Sequence, residues 1–152
     1  MNRIENNYRV KSPIQTFRDL YVYQTTIFLA DKISKLDFIS SPKDELELKS
    51  IAEKIPMLIA EGYGDRFDDK ELGKRKLTES ITLISNIITK LDILRERNLE
   101  EVSSKDMIDK LISGYVTQKR KVLNLRNAWD RVYVKNYDKG NEPKPGYPRK
   151  AY

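Results

Sequence analysis

The chain has 152 residues, with 29 Lys and Arg against 23 Asp and Glu, one Trp, nine Tyr, no His and no Cys, a length that suits one domain. This composition excludes Cys or His metal sites, Ser-His and Cys-His nucleophilic pairs, thiol redox centres and disulfides, which leaves carboxylate chemistry and binding. A hydrophobic content of 39% is adequate for a core, and a charged content of 34% lies within what a helical domain carries, so a globular protein is expected rather than a disordered chain.

Residues 1–15 are polar, interrupted by Pro13, and lack a period; they read as a mobile arm with no apolar run of the kind a signal peptide needs, so a cytoplasmic protein with no membrane partner is expected. Order is expected from Thr16, where Thr16-Phe17-Arg18-Asp19 has the form of a capping box. In the first helix, Leu20, Tyr23, Ile27 and Ala30 recur at helical spacing beside a second stripe of Val22, Leu29, Ile33 and Leu36. Together they cover about half the circumference, more than the ~100° that a bundle helix needs for its own core, so part of this surface is expected to face another subunit.

A turn is expected over residues 37–41, after which Ser41-Pro42 supplies an N-cap and a first-turn proline whose missing amide costs nothing there. The second helix carries Leu48, Ile51, Ile55, Leu58, Ile59 and Gly62 on one face, with Pro56 inside it. An interior proline predicts a kink, or two shorter helices meeting, and Gly62 and Gly64 are expected to end the element. The third helix has the cleanest pattern: Leu77, Ile81, Ile84, Ile88 and Leu91, widened by Leu83, Ile87 and Leu94, with an end near Asn98. A cap at Ser103 or Ser104 opens the fourth, through Ile108, Leu111, Tyr115, Gln118, Val122, Leu125, Trp129 and Val132, Gln118 being its polar member. Four amphipathic helices with short connections predict an all-α, antiparallel up-and-down four-helix bundle over residues 16–135, followed by a basic Pro- and Tyr-containing tail over 136–152.

Charge is unevenly distributed. Residues 1–116 carry 19 basic and 20 acidic side chains, whereas 117–152 carry 10 and 3, so the whole positive excess lies in the last quarter. Such an end suits a polyanion such as RNA, DNA or an acidic protein surface, although cations near a helix C-terminus also complement the macrodipole and aid solubility. On the fourth helix, stepping ~100° per residue from Val122 puts Arg120, Arg131 and Lys135 opposite the core, Lys121 beside them, and Lys119 and Arg126 on one flank. A basic strip of this kind contacts successive phosphates without reading bases. Lys139, Lys144, Arg149 and Lys150 extend it into the tail, where Tyr137, Tyr147 and Tyr152 are placed to stack on unpaired bases. Lys74-Arg75-Lys76 is a shorter basic cluster that fits surface solubility equally well.

Two further groups invite a functional reading and receive a structural one. Glu61 has no second carboxylate at a motif spacing, so a structural ion pair, with Arg66 close by in sequence, or a hydrogen bond to a loop is expected rather than acid–base chemistry. Asp65, Asp68, Asp69 and Glu71 lack the ligand register of a calcium loop and fit the acidic first turn of the third helix. No metal, cofactor or catalytic residue is expected.

Thr16-Phe17-Arg18-Asp19-Leu20 with Val22-Tyr23-Gln24, and above all Ile55-Pro56 followed by Ile59-Ala60-Glu61-Gly62-Tyr63, resemble the four-helix-bundle proteins encoded by intervening sequences in bacterial 23S rRNA genes. The resemblance covers roughly residues 14–132. It implies a bacterial bundle, commonly a ring-shaped homopentamer, without established catalysis and with a suspected nucleic-acid association. A similar fold occurs in the accessory variability determinant of diversity-generating retroelements, which works with a reverse transcriptase and its RNA. Met57 and Leu58 stand where the family tends to have small residues, and the basic tail is an addition. The expectation is a non-enzymatic homo-oligomer that binds RNA or DNA, with a protein-interaction adaptor, for example an accessory subunit of a reverse transcriptase, as the alternative.

Overall fold

The computed structural model describes residues 16–36, 41–98 and 102–138, with side chains through Arg131. The expected N-terminal arm, most of the expected first turn, and the tail beyond Asp138 lie outside the described residues. Four helices follow one another: α1 (Tyr21–Ser34), α2 (Pro42–Asp65), α3 (Lys70–Arg97) and α4 (Val102–Asp138). No strand occurs among the described residues.

Helix starts follow the side-chain chemistry of the sequence. Ser41 Oγ accepts from the Asp44 amide at 3.3 Å, with Pro42 opening α2, and Asp69 Oδ1 accepts from the Leu72 amide at 3.1 Å at the head of α3. The capping box at Thr16 is present, but it closes a single 3₁₀ turn at Phe17–Asp19; Leu20 is extended, and α1 begins only at Tyr21. Asn98 ends α3 as expected. Ser103 and Ser104 lie inside α4, which already runs from Val102, and its backbone continues to Asp138, beyond the expected boundary at 135.

The helices are antiparallel neighbours. Gly62 at the end of α2 meets Gly73 at the start of α3, while Arg97 at the end of α3 reaches back to Asp44 at 3.4 Å. On the next seam Lys74 bonds Asp130 and Arg95 bonds Asp109, so each turn gained along α3 is matched by a turn lost along α4. Leu29 packs on Gly114 and Lys121 lies over the Tyr21 ring, closing the ring of helices between α1 and α4. Each helix therefore packs on two neighbours in the cyclic order α1, α2, α3, α4, with the α2–α3 seam the most extensive and α1–α4 the slimmest. At 1.5 Å per residue α1 spans roughly 21 Å and α4 roughly 55 Å, so α1 lines only part of the long helix.

The core takes one stripe from each helix: Val22, Leu29, Ile33 and Leu36; Leu48, Ile55 and Ile59; Leu77, Ile84, Ile87 and Leu91; Ile108, Leu111, Tyr115, Val122 and Trp129. Of the two stripes on α1 the second is buried; from the first, only Leu20 is fully covered, Tyr23 and Ala30 are half-covered, and Ile27 is exposed. Burial of each large aliphatic side chain contributes ~1.5–3 kcal/mol, which outweighs the propensity cost of the many β-branched residues in α3. Two polar side chains in this core satisfy themselves on their own helix, Thr26 Oγ1 donating to the Val22 carbonyl at 2.8 Å and Ser80 Oγ to the Leu77 carbonyl at 2.7 Å. The Tyr115 hydroxyl and Gln118 Oε1 are buried with no hydrogen-bond partner among the described residues.

α2 is one helix through Pro56, a buried member of the core face, so the alternative of two shorter helices meeting there is excluded. It differs from expectation at its end: Gly62 and Gly64 do not terminate it, and the helix runs through Asp65, with Arg66 as the cap in a right-handed helical conformation. Gly62 serves packing instead. A Cβ built on it would lie 2.9 Å from the Gly73 carbonyl oxygen, and one on Gly73 would lie 2.7 Å from the Gly62 carbonyl oxygen, so the two helices touch backbone to backbone.

Candidate nucleic-acid interface

Beyond the core, the α2–α3 crossing fixes the ion pairs around it. Glu61 is in a structural ion pair, with Lys76 of α3 and not with the Arg66 that lies near it in sequence: Lys76 Nζ is 3.2 Å from Glu61 and 2.7 Å from Asp65. On a helix, Glu61 and Arg66 diverge by about 140°, which sends them to different neighbours. The Arg66 guanidinium instead lies 4.2 Å from the Tyr63 ring centroid, 4.1 Å from Phe67 and 5.3 Å from Trp129, and donates to the Tyr63 carbonyl at 3.3 Å. It ties the α2–α3 turn to the C-terminal half of α4 through cation–π contacts. The sequence IAEGYGDR thus forms a rigid corner. Of the acidic cluster, Asp65 belongs to the last turn of α2, Asp69 caps α3 and Glu71 lies in its first turn. Among the described residues no group of three or more metal-ligating side chains is positioned around a common point.

This corner holds the N-terminal half of α3 beside the C-terminal half of α4. On α4, Lys119, Arg120 and Arg131 are exposed, with Asn124 and Asn127 between them, while Lys121 and Arg126 are half-buried against neighbours. Lys121 lies 5.3 Å above the Tyr21 ring, and Arg126 Nη1 donates to Thr78 Oγ1 at 2.9 Å. The backbone of Lys135 continues α4, but its side chain, like that of Tyr137, lies outside the described residues, as do Lys139, Lys144, Tyr147, Arg149, Lys150 and Tyr152. Of the sequence-derived set, the structure therefore places Lys119, Arg120 and Arg131 on the exposed surface of α4, Arg126 on its α3 seam and Lys121 on its α1 seam.

Asp130 is the acid within this stretch, and it is engaged. Its carboxylate is 2.8 Å from Lys74 Nζ and 3.4 Å from Lys70 Nζ. The hydrogen bond to Lys74 holds the Asp130 carboxyl below its ordinary range, against the opposing effect of burial, and the same bond holds the Lys74 ammonium above its own. The positive charge of Arg126 acts on Lys74 in the opposite sense, which places both cations in one another's field.

The sequence reading leaves out the α3 contribution: Lys70, Lys74, Arg75 and Thr78 share a seam with Arg126 and Asp130. An open depression of about 600 Å³ lies there, lined by Glu71, Lys74, Arg75, Thr78, Arg126 and Asp130 among others. Its signal was present only as the antiparallel register that pairs Lys74 with Asp130, which joins the short Lys74-Arg75-Lys76 cluster to the basic half of α4. Elsewhere, α1 exposes Tyr21 at 62% and Phe28 at 56%, flanked by Lys32 and Lys121, and Ile27 is also exposed. No described helix is long and apolar enough to cross a membrane. Against known proteins, no family model, no curated protein and no solved structure matches the chain.

Proposed function

We propose that this chain is a non-enzymatic, oligomeric four-helix-bundle protein that binds RNA or DNA through the basic C-terminal half of α4 and the residues beyond it, in the manner expected of the 23S rRNA intervening-sequence proteins it resembles. One observation carries the reading: Lys119, Arg120 and Arg131 face solvent on α4 while the intervening acid, Asp130, is occupied by Lys70 and Lys74. Cations without a local counter-charge are the groups that gain most from phosphate, through counterion release. Exposed Tyr21, Ile27 and Phe28 on α1 support self-assembly, the ring-shaped homopentamer of the resembled family being the expected form. Several copies of a modest phosphate contact act together on a long ligand through effective concentration.

The test is retention of RNA and DNA across a salt series by the full chain and by a variant with Lys139, Lys144, Arg149 and Lys150 replaced by Ser. Binding that weakens with salt and falls in the variant supports the reading; no binding at low salt ends it. A solution mass near the 17.8 kDa of one chain would end the oligomer.

The same exposed aromatics on α1, bordered by lysines, favour a second reading as an adaptor for a protein such as a reverse transcriptase. Nuclease treatment separates the two, since it abolishes co-purification of the enzyme if nucleic acid is the bridge and leaves it intact if the contact is direct.

A further inference from the structure

Five cations that bridge helices in this bundle meet carboxylates: Lys76 meets Glu61 and Asp65, Lys90 meets Glu47, Arg97 meets Asp44, Arg95 meets Asp109, and Lys74 meets Asp130; Arg66 and Lys121 reach across to aromatic rings. Arg126 is different. It crosses from α4 to α3, half-buried, and among the described residues its hydrogen-bond partner is a neutral hydroxyl, Thr78 Oγ1. That hydroxyl is itself oriented, donating to the Lys74 carbonyl at 3.0 Å, so it receives one Arg126 N–H and fixes the direction of the guanidinium. A guanidinium has five N–H donors in a rigid fork, and one is used here. Arg75, exposed, lines the same depression. The acids around it are engaged: Asp130 with Lys70 and Lys74, Glu71 with Lys74 at 3.7 Å, and Glu79 with Lys54 at 3.9 Å. Lys76, which also lines the depression, is engaged on its α2 side by Glu61 and Asp65. The charge left over at the α3–α4 seam is that of two guanidiniums.

We infer that a backbone phosphate of a bound polynucleotide docks at this seam, between the guanidiniums of Arg75 and Arg126 beside the Thr78 hydroxyl. The inference rests on the nucleic-acid reading above and deepens it, because it moves part of the interface from the C-terminal end to a rigid groove shared by two helices. Arginine suits the role, since its planar fork matches two phosphate oxygens at once. The site contacts the backbone only and gives no sequence preference of its own. A duplex or a single strand laid along the seam continues past Lys119 on one side and towards the end of α4 on the other.

The experiment is fluorescence anisotropy of a labelled 30-nucleotide single-stranded RNA, and of a DNA duplex of that length, titrated with the full chain over a NaCl series. Loss of this one phosphate contact in the Arg75→Gln/Arg126→Gln variant is expected to lower the slope of log affinity against log salt by about 0.7 for the single strand and about 0.9 for the duplex. Arg75→Gln alone, an exposed change that leaves the packing intact, is expected to lower it by about half as much, whether or not the double variant folds. Arg126→Lys is expected to keep the slope and weaken binding, because the charge remains and the fork is lost. If these variants match the wild type while the four-Ser tail variant loses binding, the seam site is overturned and the broader reading stands; a wild type that ignores both ligands overturns both.

Discussion

The two seams flanking α3 are built from the same helix and differ in what they leave over. Towards α2, glycines bring the backbones into contact, and the bridging lysines and Arg97 are matched by Glu47, Glu61, Asp65, Glu79 and Asp44. Towards α4, Lys70, Lys74 and Arg95 are matched by Asp130 and Asp109, but Arg126 ends on a threonine hydroxyl. The first seam is closed on itself, sterically and electrostatically. The second is closed at its core and incomplete at its surface. The proposed phosphate site thus uses the face of α3 whose charge the bundle leaves unmatched, and substitutions on the two faces should separate accordingly.

The largest effect is expected where the backbones touch. Gly73→Ala puts a methyl 2.7 Å from the Gly62 carbonyl oxygen and 2.9 Å from Arg66 Cβ, neither of which is a flexible chain end. The helices must separate, at a cost of about 2–3 kcal/mol that exceeds the gain of about 1 kcal/mol in helix propensity. Gly64→Ala is the internal control: a Cβ there meets nothing within 4 Å, so the propensity gain appears alone, as a stabilisation of about 0.5–1 kcal/mol. Urea unfolding of both variants at one protein concentration reads the difference, and equal effects would mean that the glycine contact is not tight.

Next in size is Tyr115. Its hydroxyl is buried without a partner among the described residues, and burial pushes its ionisation well above the ordinary tyrosine range. Tyr115→Phe removes a desolvated donor and keeps the ring, so a stabilisation of about 1 kcal/mol is expected by urea unfolding. A loss of stability would instead reveal a hydrogen bond in the bundle interior that the hydroxyl makes in solution.

The element spans were legible because burial imposes a period: Leu77 to Leu94 on α3 and Ile108 to Trp129 on α4 face the core as their spacing requires, and Ser41, Pro42 and Asn98 carry local end signals. The glycines of α2 were not, since Gly after an amphipathic run signals a helix end and only the position of Gly73, on another helix, shows that Gly62 is a contact. The ion pair of Glu61 is legible as a role but not as a partner for the same reason, since Lys76 is near in space and far in sequence. The outer basic face of α4 could be placed by angle alone, whereas its companionship with Lys74, Arg75 and Thr78 needed the register between two antiparallel helices. What sequence conveys poorly here is which helix faces are adjacent, and the candidate site lies on such an adjacency.

The smallest effect on stability, and the sharpest on the comparison, is expected from Asp130→Asn. The Lys74 hydrogen bond depresses the folded-state pKa of Asp130 below the ordinary 3.8, so the folded protein binds fewer protons there than the unfolded chain does. Its contribution is fully present above the unfolded value and is lost as pH falls through the lower folded value. With the Asp130 side chain 40% exposed, solvent screening limits that contribution to about 0.2–1 kcal/mol, and Asp130→Asn should remove it at pH 7 and flatten the acid side of the stability curve below pH 4. Binding should move the other way. Freed of the closer of its two carboxylates and left with Glu71 at 3.7 Å, Lys74 joins Arg75 and Arg126 at the seam, and affinity for the labelled RNA should rise several-fold at low salt. Glu47→Gln adds the same unit of charge by freeing Lys90 on the α2–α3 seam, so it supplies the control for net charge. A rise confined to Asp130→Asn assigns the effect to the α3–α4 groove, and equal rises in both would reduce it to the overall charge of the protein.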